Sequence, residues 1–235
     1  MSAWKPKRFW KAATPTPVDG GFTVTLDGRP VKTPAKALLV LPTEGLARLI
    51  AAEWDAQAEM VAPETMPATR AANSAIDKVQ VQFAEVAEML AEYGGTDLLC
   101  YRAEGPEPLV ARQAGAWAPL LDWARDRYQA PLVATAGVMF IAQPPGSLAA
   151  LRAAVFAQTP FQLAALHDLI AITGSLVLGL AVAENRLTAD EAFALSRIDE
   201  HWQIEQWGED EEAAAKEALK LQALREAARF YGLCR

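Results

Sequence analysis

The residues able to do chemistry crowd into one stretch. Between Ile198 and Glu212 stand seven acids, Asp199, Glu200, Glu205, Glu209, Asp210, Glu211 and Glu212. His201, Trp202 and Trp207 lie among them, and no Lys or Arg interrupts the run. Paired carboxylates could exchange protons across a cleft, as glycoside hydrolysis requires, or hold a hard cation. No EF-hand loop pattern supports the second use. His167 sits beside Asp168 in an apolar segment. Helix neighbours face different ways, so no dyad is expected and a core or partner-bonded histidine is the simpler reading. His201 reads as a solvated histidine. Cys100 and Cys234 stand too far apart for zinc spacing or a disulfide framework. Phosphate-loop, nucleophile-elbow and H-E-x-x-H patterns are missing from the sequence. Neither a metal nor a cofactor is implied.

The whole chain carries a net charge of −7, matched by those seven acids, so the rest is neutral overall. Concentrated acidity with tryptophans embedded in it points to contact with another macromolecule more than to catalysis. Part of the run has a local explanation. Glu209 to Glu212 open the last helix, where the dipole stabilises each carboxylate by about 0.3–1 kcal/mol. Asp199, Glu200 and Glu205 fall near the end of the preceding helix, where acids are disfavoured. They are therefore the stronger partner-binding candidates, beside Trp202. Residues 1–36 hold seven basic residues against Asp19 and Asp27. That asymmetry fits two faces with different partners, basic parts docking on acidic ones, or two solvated surfaces. The acidic balance argues against nucleic-acid binding, which needs a basic stripe.

The elements that must position these residues follow from spacing. With 52% hydrophobic and 22% charged residues over 235 positions, the chain can bury a substantial core. The first forty residues read as a small antiparallel sheet. FTVTL alternates, Asp27-Gly28 forms a type I′ hairpin turn, RPVKT returns, and ALLVLP adds a strand. Thr43 caps a helix that runs to about Glu59. Pro63 and Pro67 mark a linker, dividing residues 1–65 from a helical domain, 66–235. One helical stripe joins Ile76, Val79, Phe83, Val86 and Leu90, and Gly94-Gly95 stops it. Helices follow over 109–128, 147–158, 161–183 and 188–207, with 131–143 open between strand and helix. Thr188 and Glu191 form a capping box, and Gly208 ends that helix. The last helix, 210–231, buries Ala218, Leu221, Leu224, Ala228 and Tyr231. The fold class is α+β: a small β-rich N-terminal domain and a larger helical bundle. No signal-peptide core is visible, and the longest apolar run, Leu169 to Ala183, is broken by Thr173, Gly174, Ser175 and Gly179. A cytoplasmic protein without membrane insertion is expected.

The ordered segments KRFWK, TLDGRPVKTPAK, LPTEGLARLIAAEWDAQ, MPATRAANSAIDKV, TDLLCYR, RQAGAWAPLLDWA and QIEQWG resemble a known family. It is the assembly chaperone of F-type ATP synthase that handles the alpha subunit of the ATPase headpiece. The resemblance spans Lys7 to about Tyr231 and implies the two-part fold, no catalysis, and a monomer that binds the unassembled alpha subunit and shields its beta-facing surface. Relatives work in the mitochondrial matrix, and this chain resembles the bacterial form. The family needs an acidic residue in its helical part; Glu200 is the best match, with Glu205 and Glu211 behind it. Trp54 matches an aromatic position that secures the first helix. The competing readings are a small-molecule enzyme with carboxylates in an interdomain cleft, and an acidic scaffold for basic partners.

Overall fold

The computed structural model describes residues 7–235, so Trp4 and Lys5 of the basic N-terminal segment lie outside the described residues. Three antiparallel strands form a sheet in the order β1 (Ala13–Val18), β2 (Gly21–Leu26), β3 (Arg29–Pro30). Ten α-helices follow among the described residues, which makes the fold α+β and mostly helical. Asp27 and Gly28 have φ values of 47° and 82°, as a type I′ turn requires. Asp27 does more than turn the chain: its carboxylate accepts the Lys11 and Ala12 N–H groups, each at 3.0 Å. Those donors, Ala12 first, hold its pKa below the ordinary value. Pro15 and Pro17 are tolerated because β1 is an edge strand.

The strands expected over RPVKT and ALLVLP shrink to β3 and two isolated bridges, Phe22↔Leu41 and Lys32↔Leu38. The cause is a tight loop, in which Thr33 N–H donates to Ala37 O and Lys36 N–H donates back to Thr33 O. Gly21 makes the Leu41 bridge possible. Its φ is +151°, and a Cβ there would collide with the Leu41 carbonyl oxygen. Gly21→Ala is therefore expected to cost about 1–3 kcal/mol, read as a shift in the urea midpoint.

Helix α1 (Glu44–Asp55) starts at Thr43, whose Oγ1 accepts the Leu46 N–H at 3.2 Å. It ends four residues before the expected Glu59. Arg8 stops it, donating from Nη1 to the carbonyls of Asp55 (2.8 Å) and Gln57 (2.5 Å). Buried Leu46 and Ile50 share this unit with buried Val24, Leu26, Leu39 and Leu41. Trp54 packs edge-on against Trp10, with ring centroids 5.1 Å apart.

Packing does not divide the chain at residue 65. Glu53 of α1 accepts the Ala68 N–H at 2.7 Å and the Thr69 N–H at 2.8 Å, capping α2 (Pro67–Ser74) from outside. The first unit therefore continues to Phe83 and also takes in Thr159–Ala165 and Arg229–Arg235. The second comprises Ala84–Gln158 and Leu166–Ala228. The single stripe expected from Ile76 to Leu90 is interrupted. After α2 come a π turn (Ala75–Val79), closed by Gln80 N–H to Ala75 O, and then α3 (Phe83–Ala91).

Beyond α3, TDLLCYR folds as a short 3₁₀ turn (Leu98–Cys100) and strand β4 (Tyr101–Arg102). Helices α4 (Glu107–Tyr128) and α5 (Pro145–Phe156) lie near their expected bounds. Between them, β5 (Thr135–Ala136) pairs with β4 in parallel. The buried Gln143 amide bonds both the N–H and the carbonyl of Val133, and Val138, Met139 and Phe140 stand exposed between these anchors.

Two expected helices are each two. Residues 161–183 break at Gly174 (φ 70°) into α6 (Pro160–Thr173) and α7 (Leu176–Ala183). Ser175 caps α7 by accepting the Leu178 N–H at 3.0 Å. Asp97 seals the joint. It is fully buried and accepts from Leu99 N–H (3.0 Å), Ser175 Oγ–H (2.7 Å) and Val177 N–H (3.0 Å). Burial pushes its pKa up, while the donated hydrogen bonds from Val177 and Ser175 pull it back.

The second break, at Arg197, separates α8 (Ala189–Ser196) from α9 (Ile198–Trp207). The Leu195 carbonyl, which a continuous helix would bond to Asp199 N–H, accepts Trp117 Nε1–H at 2.9 Å instead. The Thr188–Glu191 capping box is present. Helix α10 (Glu211–Leu233) buries Leu224, Ala227, Phe230 and Tyr231, whereas Ala218 is exposed, because the first turns of α10 are largely solvent-covered.

Candidate functional site

The break at Arg197 changes the meaning of the acidic run. Asp199 and Glu200 lie in the first turn of α9, not near the end of a longer helix. There the dipole favours them, so the polarity argument that set them apart does not apply. Glu205 alone keeps its place near a helix C-terminus. Asp210 holds the start of α10, its Oδ1 accepting the Ala213 N–H at 2.8 Å.

Helix α4 supplies the internal partners. Gln113, fully buried, donates from Nε2 to Asp199 Oδ1 at 2.5 Å and accepts the Ala103 N–H on Oε1 at 2.7 Å. Arg112 forms a bidentate pair with Glu205, at 2.7 and 2.9 Å. Its guanidinium also lies 4.9 Å from the centre of the Trp202 ring. The hydrogen bond from Arg112 holds the Glu205 carboxyl below its ordinary value. Asp199, Glu205 and Trp202 thus have partners within this unit and position α9 on α4. Glu200 pairs with Arg197 at 2.9 Å and is half-exposed. Glu211 is exposed in the first turn of α10.

An open groove of about 400 Å³ runs between α9 and α10. Its walls include Ile204, Trp207, Ala214, Glu200, Asp210 and Glu217. Glu217 accepts from His201 Nε2 at 2.9 Å. Trp207 is 79% exposed, and no ring or cation contact of its own occurs among the described residues. In the sequence Trp207 stands in the acidic stretch with nothing to mark a role for it. Its exposure was unreadable because it depends on how few residues pack over the start of α10.

His167 and Asp168 do meet, contrary to the expectation from helix spacing. Nδ1 and Oδ1 lie 2.8 Å apart on the exposed face of α6, where both side chains are free to lean together. The hydrogen bond to Asp168 raises the His167 pKa. A raised histidine pKa gives stability that is fully present below the unfolded value of about 6.5 and is lost as pH rises through the folded one. By NMR titration His167 is expected to titrate above an ordinary histidine, and Asp168→Asn to bring it down. An unchanged midpoint in the variant would contradict the pairing.

Among the described residues, no helix is long and apolar enough to cross a membrane, and no group of three or more His, Cys, Asp or Glu side chains could hold a metal ion. Residues 7–125, about half of the chain, match the family model described as ATP12 chaperone protein. A mitochondrial atp12 protein of Schizosaccharomyces pombe is 27% identical over 219 residues, covering 88% of this chain and 75% of that one. The crystal structure of Atp12 from Paracoccus denitrificans superposes with a TM-score of 0.95 at 53% identity, covering 97% of this chain and 98% of the other. A lysine-for-aspartate mutant of Atp12p from the same organism superposes equally well, with the same identity and coverage. A chaperone-like protein of Agrobacterium tumefaciens gives a TM-score of 0.94 at 46% identity, covering 98% and 87%. The chain belongs to the ATP12 chaperone family, the family of assembly chaperones that its ordered segments resemble.

Proposed function

We propose that this protein binds the unassembled alpha subunit of the F-type ATPase headpiece and covers its beta-facing surface until the beta subunit displaces it. An exposed apolar subunit interface aggregates unless it is covered, and a holding chaperone must bind weakly enough to be exchanged. The observation that carries the reading is the hairpin of α9 and α10: a largely solvent-covered, acid-rich surface with an open groove and an uncovered tryptophan. It sits in a family of ATP12 chaperones. The protein acts as a monomer in the bacterial cytoplasm and catalyses no reaction. Of the acids named from the sequence, Glu200 and Glu211 face the partner, while Asp199, Glu205 and Trp202 hold α9 in place behind them.

The direct test is co-purification with isolated alpha and beta subunits. Retention of alpha but not beta is expected; retention of beta alone would overturn the reading. Glu200→Lys is expected to weaken alpha binding about tenfold with unchanged circular dichroism. Because Glu200 sits in the first turn of α9 beside Arg197, the same change is also expected to cost about 0.5–1 kcal/mol of stability. Loss of binding accompanied by loss of helical signal would mean that Glu200 is structural.

A further inference from the structure

TDLLCYR and the segment after α4 together frame an uncovered stretch of extended chain. No charged residue stands between Arg127 and Arg152, the longest such interval in the sequence. Its middle part is tied down. Ser147 Oγ–H donates to the Pro131 carbonyl at 2.7 Å, and the buried Gln143 amide holds the N–H and carbonyl of Val133 at 2.8 and 2.9 Å. Strand β5 pairs with β4, and the Gly137 N–H adds one more bond to it, donating to the Arg102 carbonyl at 2.8 Å. There the pairing ends, at a glycine with φ 80°. Beyond it Val138 is 93% exposed, Met139 78% and Phe140 70%. Among the described residues, no main-chain hydrogen bond is made by residues 138–142. Uncovered apolar side chains and unpaired strand-type N–H and carbonyl groups therefore fall on the same residues, between fixed anchors.

We infer that residues 138–142 pair, as an added strand, with an extended apolar segment of the unassembled alpha subunit. This contact deepens the proposed function and rests on it. It belongs to the same unit as α9 and α10 and adds a second contact to theirs. Chemistry narrows the occupant. An anionic membrane surface or a nucleic acid calls for Lys or Arg around the apolar tip, and the interval has neither. The framing strand brings Arg102 and, against Gly137, the Glu104 carboxylate, which are of opposite sign and select no charged partner. Two copies of this chain meeting tip to tip would bury about 900 Å², at about 150 Å² for each side chain, short of the about 1,200–2,000 Å² of a stable interface. An apolar protein surface with a free strand edge uses both the side chains and the main-chain groups, as strand addition does. The uncovered subunit interface of the proposed function is a surface of that apolar kind.

The test uses the double variant Val138→Ser with Phe140→Ser, and Met139→Pro and Phe140→Pro, each proline read against alanine at the same position. Val81→Ser, at an exposed valine of the first unit, is the control. Binding to isolated alpha subunit is measured by calorimetry, with a thermal melt of each variant. The serine pair is expected to weaken binding about tenfold at an unchanged melting temperature. Each proline removes an N–H that has no partner in the free protein, so neither should lower the melting temperature. Successive strand residues aim their N–H groups at opposite edges, so one proline should weaken binding about tenfold beyond its alanine and the other much less. Val81→Ser should bind like wild type. Wild-type affinity in the serine pair would overturn the contact while leaving the proposed function standing. Prolines that both match their alanines would overturn the strand pairing. A lowered melting temperature in the serine pair would give the loop to this protein's own packing and overturn the contact as well. Failure of the wild type to bind alpha would overturn the function itself. Two measurements cover the other occupants. Flotation of the wild type but not the serine pair with phosphatidylcholine–phosphatidylglycerol vesicles would assign the loop to a lipid surface. A sedimenting dimer lost in the serine pair would assign it to a second copy of this chain.

Discussion

Asp97→Ala is expected to lower stability by about 3–5 kcal/mol, the largest loss of any single polar change in the second unit. The carboxylate lies where the 3₁₀ turn meets the start of α7, with no exposed surface. It satisfies two backbone N–H groups and the Ser175 hydroxyl at once. Alanine leaves all three without an acceptor in a water-free place, beside Leu98 and Leu176. Each orphaned buried donor costs about 1–3 kcal/mol, so the sum is large even after relaxation. Asp97→Asn should cost about half as much, because one amide oxygen still accepts while the NH₂ opposes the remaining donors. Ser175→Ala should cost about 1–2 kcal/mol, since it removes one donor to Asp97 and the cap of α7. Urea denaturation followed by circular dichroism measures the series. An alanine variant within about 1 kcal/mol of wild type would contradict the assigned role.

Trp117→Ala is the second large effect, again about 3–5 kcal/mol. Trp117 is fully buried in α4. Beyond its packing, its Nε1–H takes the Leu195 carbonyl at 2.9 Å and so sets the break between α8 and α9. Trp117→Phe separates the two contributions. It keeps most of the buried ring and loses the hydrogen bond, so it should cost about 1–2 kcal/mol. The phenylalanine variant should also loosen α9, because α4 aligns that helix through Trp117, Gln113 and Arg112 together. Hydrogen exchange of the free protein is expected to show faster exchange over 198–207 in Trp117→Phe, with the first unit unchanged. Equal exchange in the two proteins would mean that the helix break does not depend on this bond.

Which parts of the molecule could be read from sequence follows the range of the interaction. The Asp27-Gly28 turn, the Thr43 cap, the Thr188–Glu191 box and the stop at Gly208 are all made by residues within three or four positions of each other. Each has a residue type that only one backbone conformation uses well. The break at Gly174 was half-legible: the glycine and Ser175 were visible, but the apolar run around them read as one helix. The break at Arg197 had no local sign, because Ser196, Arg197 and Ile198 include neither glycine nor proline and the deciding bond comes from Trp117, 78 residues away. The same holds for the unit boundary. Pro63 and Pro67 looked like a linker, yet Glu53 reaches across them to cap α2.

The candidate site was legible as a region and not as a set of roles. Acid density and tryptophans single out α9 and the start of α10 in the sequence. Which acids are free depends on partners far off in sequence, such as Arg112, 93 residues from Glu205, and Gln113, 86 residues from Asp199. Once those pairs are counted, attention moves from Asp199 and Glu205 toward Glu200, Glu209, Glu211 and the exposed Trp207.

As proposed, the hairpin of α9 and α10 is the surface that meets the alpha subunit. Hydrogen–deuterium exchange of the protein alone and bound to isolated alpha subunit tests it most directly. Protection is expected to concentrate over residues 200–220, with α4 and the three-stranded sheet unchanged. Protection confined to residues 7–83, with α9 and the first half of α10 exchanging as in the free protein, would contradict it.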